Sequence, residues 1–304
     1  MALPARAGTI GALTAAALLA GASGAAASPT AQAAAGSAAA DDVITVAHRG
    51  ASAYAPENTL PAVELGAEMK ADLVEIDVQA TADGELVVIH DTTLARTTDV
   101  EQKFPDRAPW NVGDFTFEEI RTLDAGSWFG EEYAGTQIPT LQEVLDALDG
   151  RAGLLLEAKA PALYPGIEQT IAEELDGEGW LRAGAASGRL VVQSFDWGFM
   201  EAFNALAPEV PAGLLGDPPG DDAALAELAT WADQVNPSHT RVTGEVVERI
   251  HDAGLEIMPY TVDDADRMRE LVELGVDGVI TNRPDVLIDV LEEDRPGRGR
   301  PDAA

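Results

Sequence analysis

The sequence predicts an α/β fold, a (β/α)8 TIM barrel with an insertion (cap) after its second strand. Three observations predict it. Eight short apolar runs alternate with segments of helical spacing along the chain. Polar residues gather at the carboxyl ends of those runs, where a barrel places its chemistry. No Gly-rich G-x-G-x-x-G turn follows any run, which argues against an open doubly wound sheet.

The runs are "VITVAH", "LVEIDV", "GLLLEAK", "RLVVQSF", "PAGLLG", "ADQVNP", "LEIMPY" and "DGVITN". Strands covered on both faces read as such near-continuous apolar stretches. Helical patterns follow them, among them "NTLPAVELGAEMK", "TLQEVLDALD", "GEVVERIHDAG", "DDADRMRELVELG" and "RPDVLIDVLEE". Several begin with Asn, Thr or Asp and end in Gly, as helix boundaries do. Strand followed by helix, eight times over, is the grammar of a closed parallel barrel.

The first 40 residues hold one arginine, then an Ala/Leu/Gly run and a string of small residues. That order predicts a secretory signal peptide and disordered leader over 1–40, with cleavage after Ala27 or Ala33. The apolar part is too short and alanine-rich for a membrane span. The barrel is expected over 41–295, with the insertion at about 91–138 and a flexible tail over 296–304. The expected location is extracytoplasmic, with no stable membrane insertion after cleavage.

Charge narrows the partners. The formal net charge is −34, from 53 acidic and 19 basic side chains. Such a field repels nucleic acid and anionic membrane surfaces. Without cysteine the chain has neither disulfides nor a thiolate metal site.

The polar strand ends are specific. His48 and Arg49 close the first run; Glu75 and Asp77, two apart on the second, share one face. Glu157 and Lys159 repeat that spacing on the third. Gln193 and Ser194, Asn236, Tyr260 and Thr261, and Thr281 and Asn282 close later runs. Each alone reads as an ordinary strand end; together they read as one rim.

One further run, "LVVIHD" (86–91), follows the second strand too closely for a parallel crossover. Asp83-Gly84 reads as a two-residue hairpin turn. With Ala82 opposite Glu85, the register brings His90 opposite Asp77, and a slip of one residue reverses its face.

Two histidines, three carboxylates, one arginine and one lysine then share a site. Three close carboxylates repel unless a cation sits among them, and oxygen ligands suit Ca2+ or Mg2+. An ion-pair network with Arg49 and Lys159 is the alternative. Two imidazoles beside a metal can divide the proton work as base and acid. Arg49 and Lys159 suit a phosphate. Phosphodiester cleavage is the chemistry this set fits best.

The chain resembles the glycerophosphodiester phosphodiesterase family from Val43 to about Leu291. The resemblance rests on "AHRGASAYAPENT", "VEIDVQATADGELVVIHDTTLARTT", "LDAGSWF", "IPTLQEVL", "LEAK", "QSFD" and "GVDGVITNRPD", in that order. It implies a (β/α)8 barrel and a divalent ion, Ca2+ or Mg2+, on Glu75, Asp77 and Glu157. It implies His48 and His90 as the acid/base pair, Arg49 at the phosphate and Lys159 as a second positive group there. Glu57 resembles an additional site acid, for ion binding or for orienting a histidine or Arg49. The insertion resembles the family's own and is expected to cap the substrate, with Trp128, Phe129 and Tyr133 in its core. The family often shows Trp-Thr after the seventh strand; here Tyr260 supplies a flat wall and a hydroxyl.

The implied substrate is a glycerophosphodiester such as glycerophosphocholine, cleaved to glycerol 3-phosphate and an alcohol. The attacking oxygen is either a substrate hydroxyl, giving a cyclic phosphate first, or water. Two rivals keep the barrel. A lysophospholipase D- or sphingomyelinase D-like reaction needs an apolar groove for an acyl chain. A non-catalytic surface-binding barrel needs none of the chemistry. His239, in a rim loop, and His251, on a polar helix face, read as ordinary.

Overall fold

Alternation along the second strand shows how the sequence builds this architecture. Val74, Ile76 and Val78 join the large apolar cluster shared with the helices. Leu73 instead joins a smaller cluster with Val46, Leu155, Val191, Met258 and Ile280. That smaller cluster is the barrel interior, and the two-residue period puts Glu75 and Asp77 on its side of the strand. The computed structural model describes residues 43–148 and 150–293; the expected leader (1–40) and tail (296–304) lie outside them.

The strands are β1 (Ile44–Ala47), β2 (Leu73–Ala80), β3 (Leu86–Val88), β4 (Gly153–Ala158), β5 (Leu190–Ser194), β6 (Ala212–Leu215), β7 (Gln234–Asn236) and β8 (Gly278–Thr281). Seven are parallel, in the order β7-β6-β5-β4-β2-β1-β8, and β3 pairs antiparallel with β2. Amphipathic helices cover the outside; residues 141–148 bury Leu141, Val144, Leu145 and Leu148. Thr243 and Asp264 cap the helices 244–252 and 265–274 by accepting from Val246 N and Arg267 N.

The run "LEIMPY" departs from expectation. It forms no regular strand, because Pro259 has no N–H to give to a ladder. It still fills its place between β7 and β8. Val235 N donates to Glu256 O (2.9 Å), and His239 N to Tyr260 O (2.7 Å). On the other side Asp277 N donates to Ile257 O and Ile280 N to Pro259 O, both at 3.0 Å. The curled sheet is thus bridged by an irregular eighth rung.

A repeated device marks the amino ends of the strands. Asp72, Asp233 and Asp277, each just ahead of a strand, accept from Thr45 N, Ala212 N and Ile257 N of a neighbouring segment, all at 2.8 Å. Backbone donors that the ladder leaves open are satisfied there. The opposite ends carry the groups described below.

The hairpin differs in register. Val78 pairs with Val88 and Ala80 with Leu86, so Asp77 meets Ile89, whose N–H it accepts at 2.9 Å. The turn holds three residues, Ala82 to Gly84, with Gly84 left-handed at φ 91°. Such three-residue loops close on a left-handed glycine, and the extra residue shifts the pairing by one.

Residues 89–138 pack a cluster of their own around Leu94, Val112, Phe115, Ile120 and Leu123. Phe115 meets Phe104 edge-on at 5.3 Å, and the Arg107 guanidinium lies 3.8 Å from its ring centre. Trp128, Phe129 and Tyr133 make an edge-to-face ladder, but outside that cluster, with Trp128 42% exposed. The expectation that they form its core is corrected: aliphatic residues and Phe115 do.

Candidate active site

The site begins with the turn after β1. Arg49 (φ 54°) and Gly50 (φ 82°) are both left-handed. A Cβ on Gly50 would lie 2.4 Å from the Ala62 carbonyl carbon, so only glycine fits. The turn aims Arg49 N–H at Glu75 Oε2, 2.7 Å away.

The "ENT" triplet completes this corner. Glu57 accepts from Arg49 Nη1 at 2.9 Å. Asn58 donates to Asp77 Oδ2 at 2.8 Å and accepts from Asp77 N at 3.2 Å. Thr59 precedes the helix 60–68 and donates to Pro56 O rather than capping a helical N–H.

Glu75, Asp77 and Glu157 are all buried, with one carboxylate oxygen from each lying within 4.8 Å of the others. Arg49 Nε is 3.3 Å from Asp77 Oδ2, and Lys159 Nζ is 2.7 Å from Glu157 Oε1 and 3.5 Å from Asp77 Oδ1. Asp77 Oδ1 accepts no hydrogen bond. Burial opposes ionisation of Asp77, but Arg49 and Lys159 outweigh it and hold its pKa down. Glu75 is raised well above the ordinary range by burial and by the charges of Asp77 and Glu157. Glu157 is pushed up to about 7 by burial and Asp77, despite the lysine. Two cationic side chains therefore leave the carboxylates short of positive charge. A divalent cation with oxygen ligands fits that deficit.

The two histidines have different surroundings. His48 Nδ1 lies 2.7 Å from Asn282 Oδ1, and Asn282 Nδ2 donates to Asp263 Oδ2 at 2.7 Å. The second bond fixes which way the Asn282 amide faces. Its oxygen then selects the Nδ1–H tautomer of His48 and leaves Nε2 with a lone pair. Burial, with Arg49 beside it, pushes His48 down to about 4, so the ring is neutral at pH 7.

His90 is placed without the pleat's help. It follows the end of β3, and Gln79 Nε2 grips the chain on both sides of it, donating to Ile89 O (2.7 Å) and Asp91 O (2.8 Å). His90 Nδ1 lies 2.6 Å from Asp91 Oδ1. Hydrogen bonds from Arg96 hold Asp91 down at about 2, ionised beside the imidazole. The Arg96 fork reaches both oxygens of Asp91 (2.7 and 3.1 Å) and both of Glu57 (2.9 and 2.7 Å).

A cleft of about 220 Å³ is lined by His48, Arg49, Glu75, His90, Glu157, Lys159 and Tyr260, with Gln193, Phe195 and Thr261 among its other walls. Asp77 lies behind the lining, and Glu57 reaches it through Arg49. The residues singled out from sequence therefore converge. His251 pairs with Asp277 at 2.9 Å and does not line this cleft. His239 keeps a buried Nδ1 without a hydrogen bond and does not line the cleft. Asn58, Gln79, Asp91, Arg96 and Asp263 were not among the sequence candidates. Asn58, Gln79, Asp91 and Arg96 all sit inside the stretches that carry the family resemblance; Asp263 carries no local signal.

Comparison with known proteins agrees with this geometry. The family model for the glycerophosphoryl diester phosphodiesterase family matches residues 48–286. A glycerophosphodiester phosphodiesterase of Bacillus subtilis (strain 168) is 38% identical over 258 residues, 81% of this chain and 85% of that protein. One from Caldanaerobacter subterraneus subsp. tengcongensis is 36% identical, over 82% of this chain and 98% of its own. The crystal structure of the Agrobacterium tumefaciens glycerophosphodiester phosphodiesterase superposes with a TM-score of 0.67 at 32% identity, covering 81% and 99% of the two chains. An Oleispira antarctica phosphodiesterase in complex with its product sn-glycerol-3-phosphate gives 0.73 at 28% identity, covering 82% and 96%. A family match over residues 48–286, running through nearly every strand and every site residue, places this chain in the glycerophosphoryl diester phosphodiesterase family.

Proposed function

We propose that this protein hydrolyses glycerophosphodiesters, glycerophosphocholine among them, to glycerol 3-phosphate and an alcohol in a metal-dependent reaction. The observation that carries the reading is one cleft holding three buried carboxylates, two cationic side chains and two unlike imidazoles. Ca2+ or Mg2+ held by Glu75, Asp77 and Glu157 would supply Lewis-acid polarisation of a phosphoryl oxygen when bound.

The chain's own groups do the rest. Arg49 and Lys159 draw the anionic phosphate into the cleft and offset the charge that builds on its oxygens. His48, neutral and with Nδ1–H held by Asn282, takes the proton of the attacking oxygen on Nε2. His90, with the Asp91 carboxylate as counter-ion, gives a proton to the departing alcohol oxygen. Glu57 positions Arg49 and Arg96 and so couples the two histidine corners. Tyr260 walls the alcohol side, and the segment 91–138 caps the substrate from the His90 side.

Secretion through the 1–40 leader completes the proposal; no helix among the described residues is long and apolar enough to cross a membrane. The test is glycerol 3-phosphate release from glycerophosphocholine, with EDTA, then with Ca2+ or Mg2+ restored. Release that needs the ion and disappears in His48→Ala supports the reading. Folded protein that releases nothing with either ion overturns it.

A further inference from the structure

We infer that Gln193 donates a hydrogen bond to the terminal hydroxyl of the substrate's glycerol and selects for that hydroxyl; the inference deepens the phosphodiesterase reading above and rests on it. The proton and phosphate chemistry leaves Gln193 unused, yet this residue is 2% exposed and lines the catalytic cleft.

The strand places it there. On β5, Val191 belongs to the interior cluster and Val192 to the outer one, so the two-residue period turns Gln193 inward. It stands beside Glu157 in the β4–β5 register, one strand spacing of ~4.8 Å further from Asp77. Charge ends at that step. The cleft side chains carried by β1 to β4 and the turns after them are all ionisable; those from β5 and β6 are Gln193, Phe195 and Leu215.

Hydrogen bonds behind the amide fix which end of it faces the cleft. Met258 N donates to Asn236 Oδ1 at 2.9 Å, and a backbone N–H can only donate. Asn236 therefore turns Nδ2 the other way, where it donates to Gln193 Oε1 at 3.1 Å and to Gln234 Oε1 at 3.3 Å. Gln193 Oε1 is thus engaged inside the barrel, and Nε2 is the end left for the cleft. Among the described residues Nε2 has no acceptor. Gly213, paired with Gln193 across β5 and β6, leaves room for this contact. A Cβ there would lie 3.0 Å from Gln193 Cβ and 3.2 Å from Asn236 Nδ2.

A neutral, fixed donor where the charge stops suits a neutral oxygen. Arg49 and Lys159 meet the phosphoryl oxygens on the charged side. The terminal glycerol hydroxyl lies two carbons beyond the ester carbon and reaches past that side. It is also common to every glycerophosphodiester, whatever the alcohol. A substrate without it would leave the buried donor unpaired, and such a site discriminates against that substrate.

The experiment compares choline release from glycerophosphocholine and from 2-hydroxypropyl phosphocholine by the full chain with Ca2+ or Mg2+. The second substrate lacks only the terminal hydroxyl, so attack by the remaining hydroxyl stays open in both. Calorimetry with glycerol 3-phosphate and 2-hydroxypropyl phosphate makes the same comparison without turnover. Wild type should favour the glycerol compound about tenfold or more in kcat/KM and in Kd. Gln193→Met, similar in length but without a donor, should remove most of that preference by lowering the glycerol value, with the other held within about twofold. Gly213→Ala, outside the cleft lining, should reduce the preference in the same direction. Equal handling of the two compounds by wild type, or a Gln193→Met loss that falls equally on both, overturns the inference and leaves the phosphodiesterase reading standing. Folded wild type that cleaves neither substrate removes both.

Discussion

His48 Nδ1 and Asn282 Oδ1 meet at 2.7 Å across 234 residues of sequence. The contact joins the carboxyl ends of β1 and β8, which pair through Ala47 and Thr281. It gives the first histidine a defined tautomer, while burial beside Arg49 keeps the ring neutral; a proton acceptor requires both.

Replacing His48 with alanine should lower kcat about 10²-fold or more. Asn282→Ala should cost about tenfold, the worth of one well-placed hydrogen bond. The Asn282 loss should fall in kcat with KM little changed, since that residue sets a tautomer rather than holding substrate. Steady-state kinetics on glycerophosphocholine reads both, and an Asn282→Ala enzyme with full kcat would contradict the assignment.

Arg96 should behave as a positioning residue for His90. Arg96→Ala frees Asp91 and Glu57 together, and kcat should drop about tenfold. Arg96→Lys should not restore it, because a lysine cannot hold two carboxylates with a planar fork. Rescue by lysine would show that charge alone suffices.

The carboxylate cluster makes metal-free stability depend on pH with a definite sign. Glu157 is raised to about 7 when folded, by burial first, so its stabilising share is complete below the unfolded value of about 4.3. It is lost as pH rises through about 7. Thermal unfolding in EDTA should therefore give a Tm that falls between about pH 4.5 and 8, and Glu157→Gln should flatten that slope. Ca2+ or Mg2+ at a hundredfold excess over Kd adds about 2.7 kcal/mol. That is a Tm rise of roughly 5–10 °C for a domain of this size, larger at pH 8 than at pH 5. Equal shifts at both pH values would argue against binding at these carboxylates.

Phe115 should dominate the stability of the segment after β3. It is fully buried, edge-on to Phe104 and covered by Arg107. Phe115→Ala should cost about 3–5 kcal/mol in equilibrium unfolding. A loss under 1 kcal/mol would show that the cluster repacks freely.

The sequence alone determined the strand and helix alternation, the inward period of Glu75 and Asp77, and the carboxylates and histidines that chemistry needs. These are local: a two-residue period, a capping residue and a glycine forced by a positive φ can all be read from neighbours in the chain. Tertiary structure decided the rest. It set the hairpin one register away from the expected pairing and still brought His90 to the cleft, because Gln79 and Asp77 hold the main chain around it. It turned "LEIMPY" into an irregular rung that nevertheless bridges β7 and β8. It gave the two histidines opposite companions, Asn282 from the far end of the chain for one and Asp91 with Arg96 for the other. Burial and long-range contacts fix those companions, and no spacing along the chain encodes how deep a carboxylate will lie or which amide will face a ring.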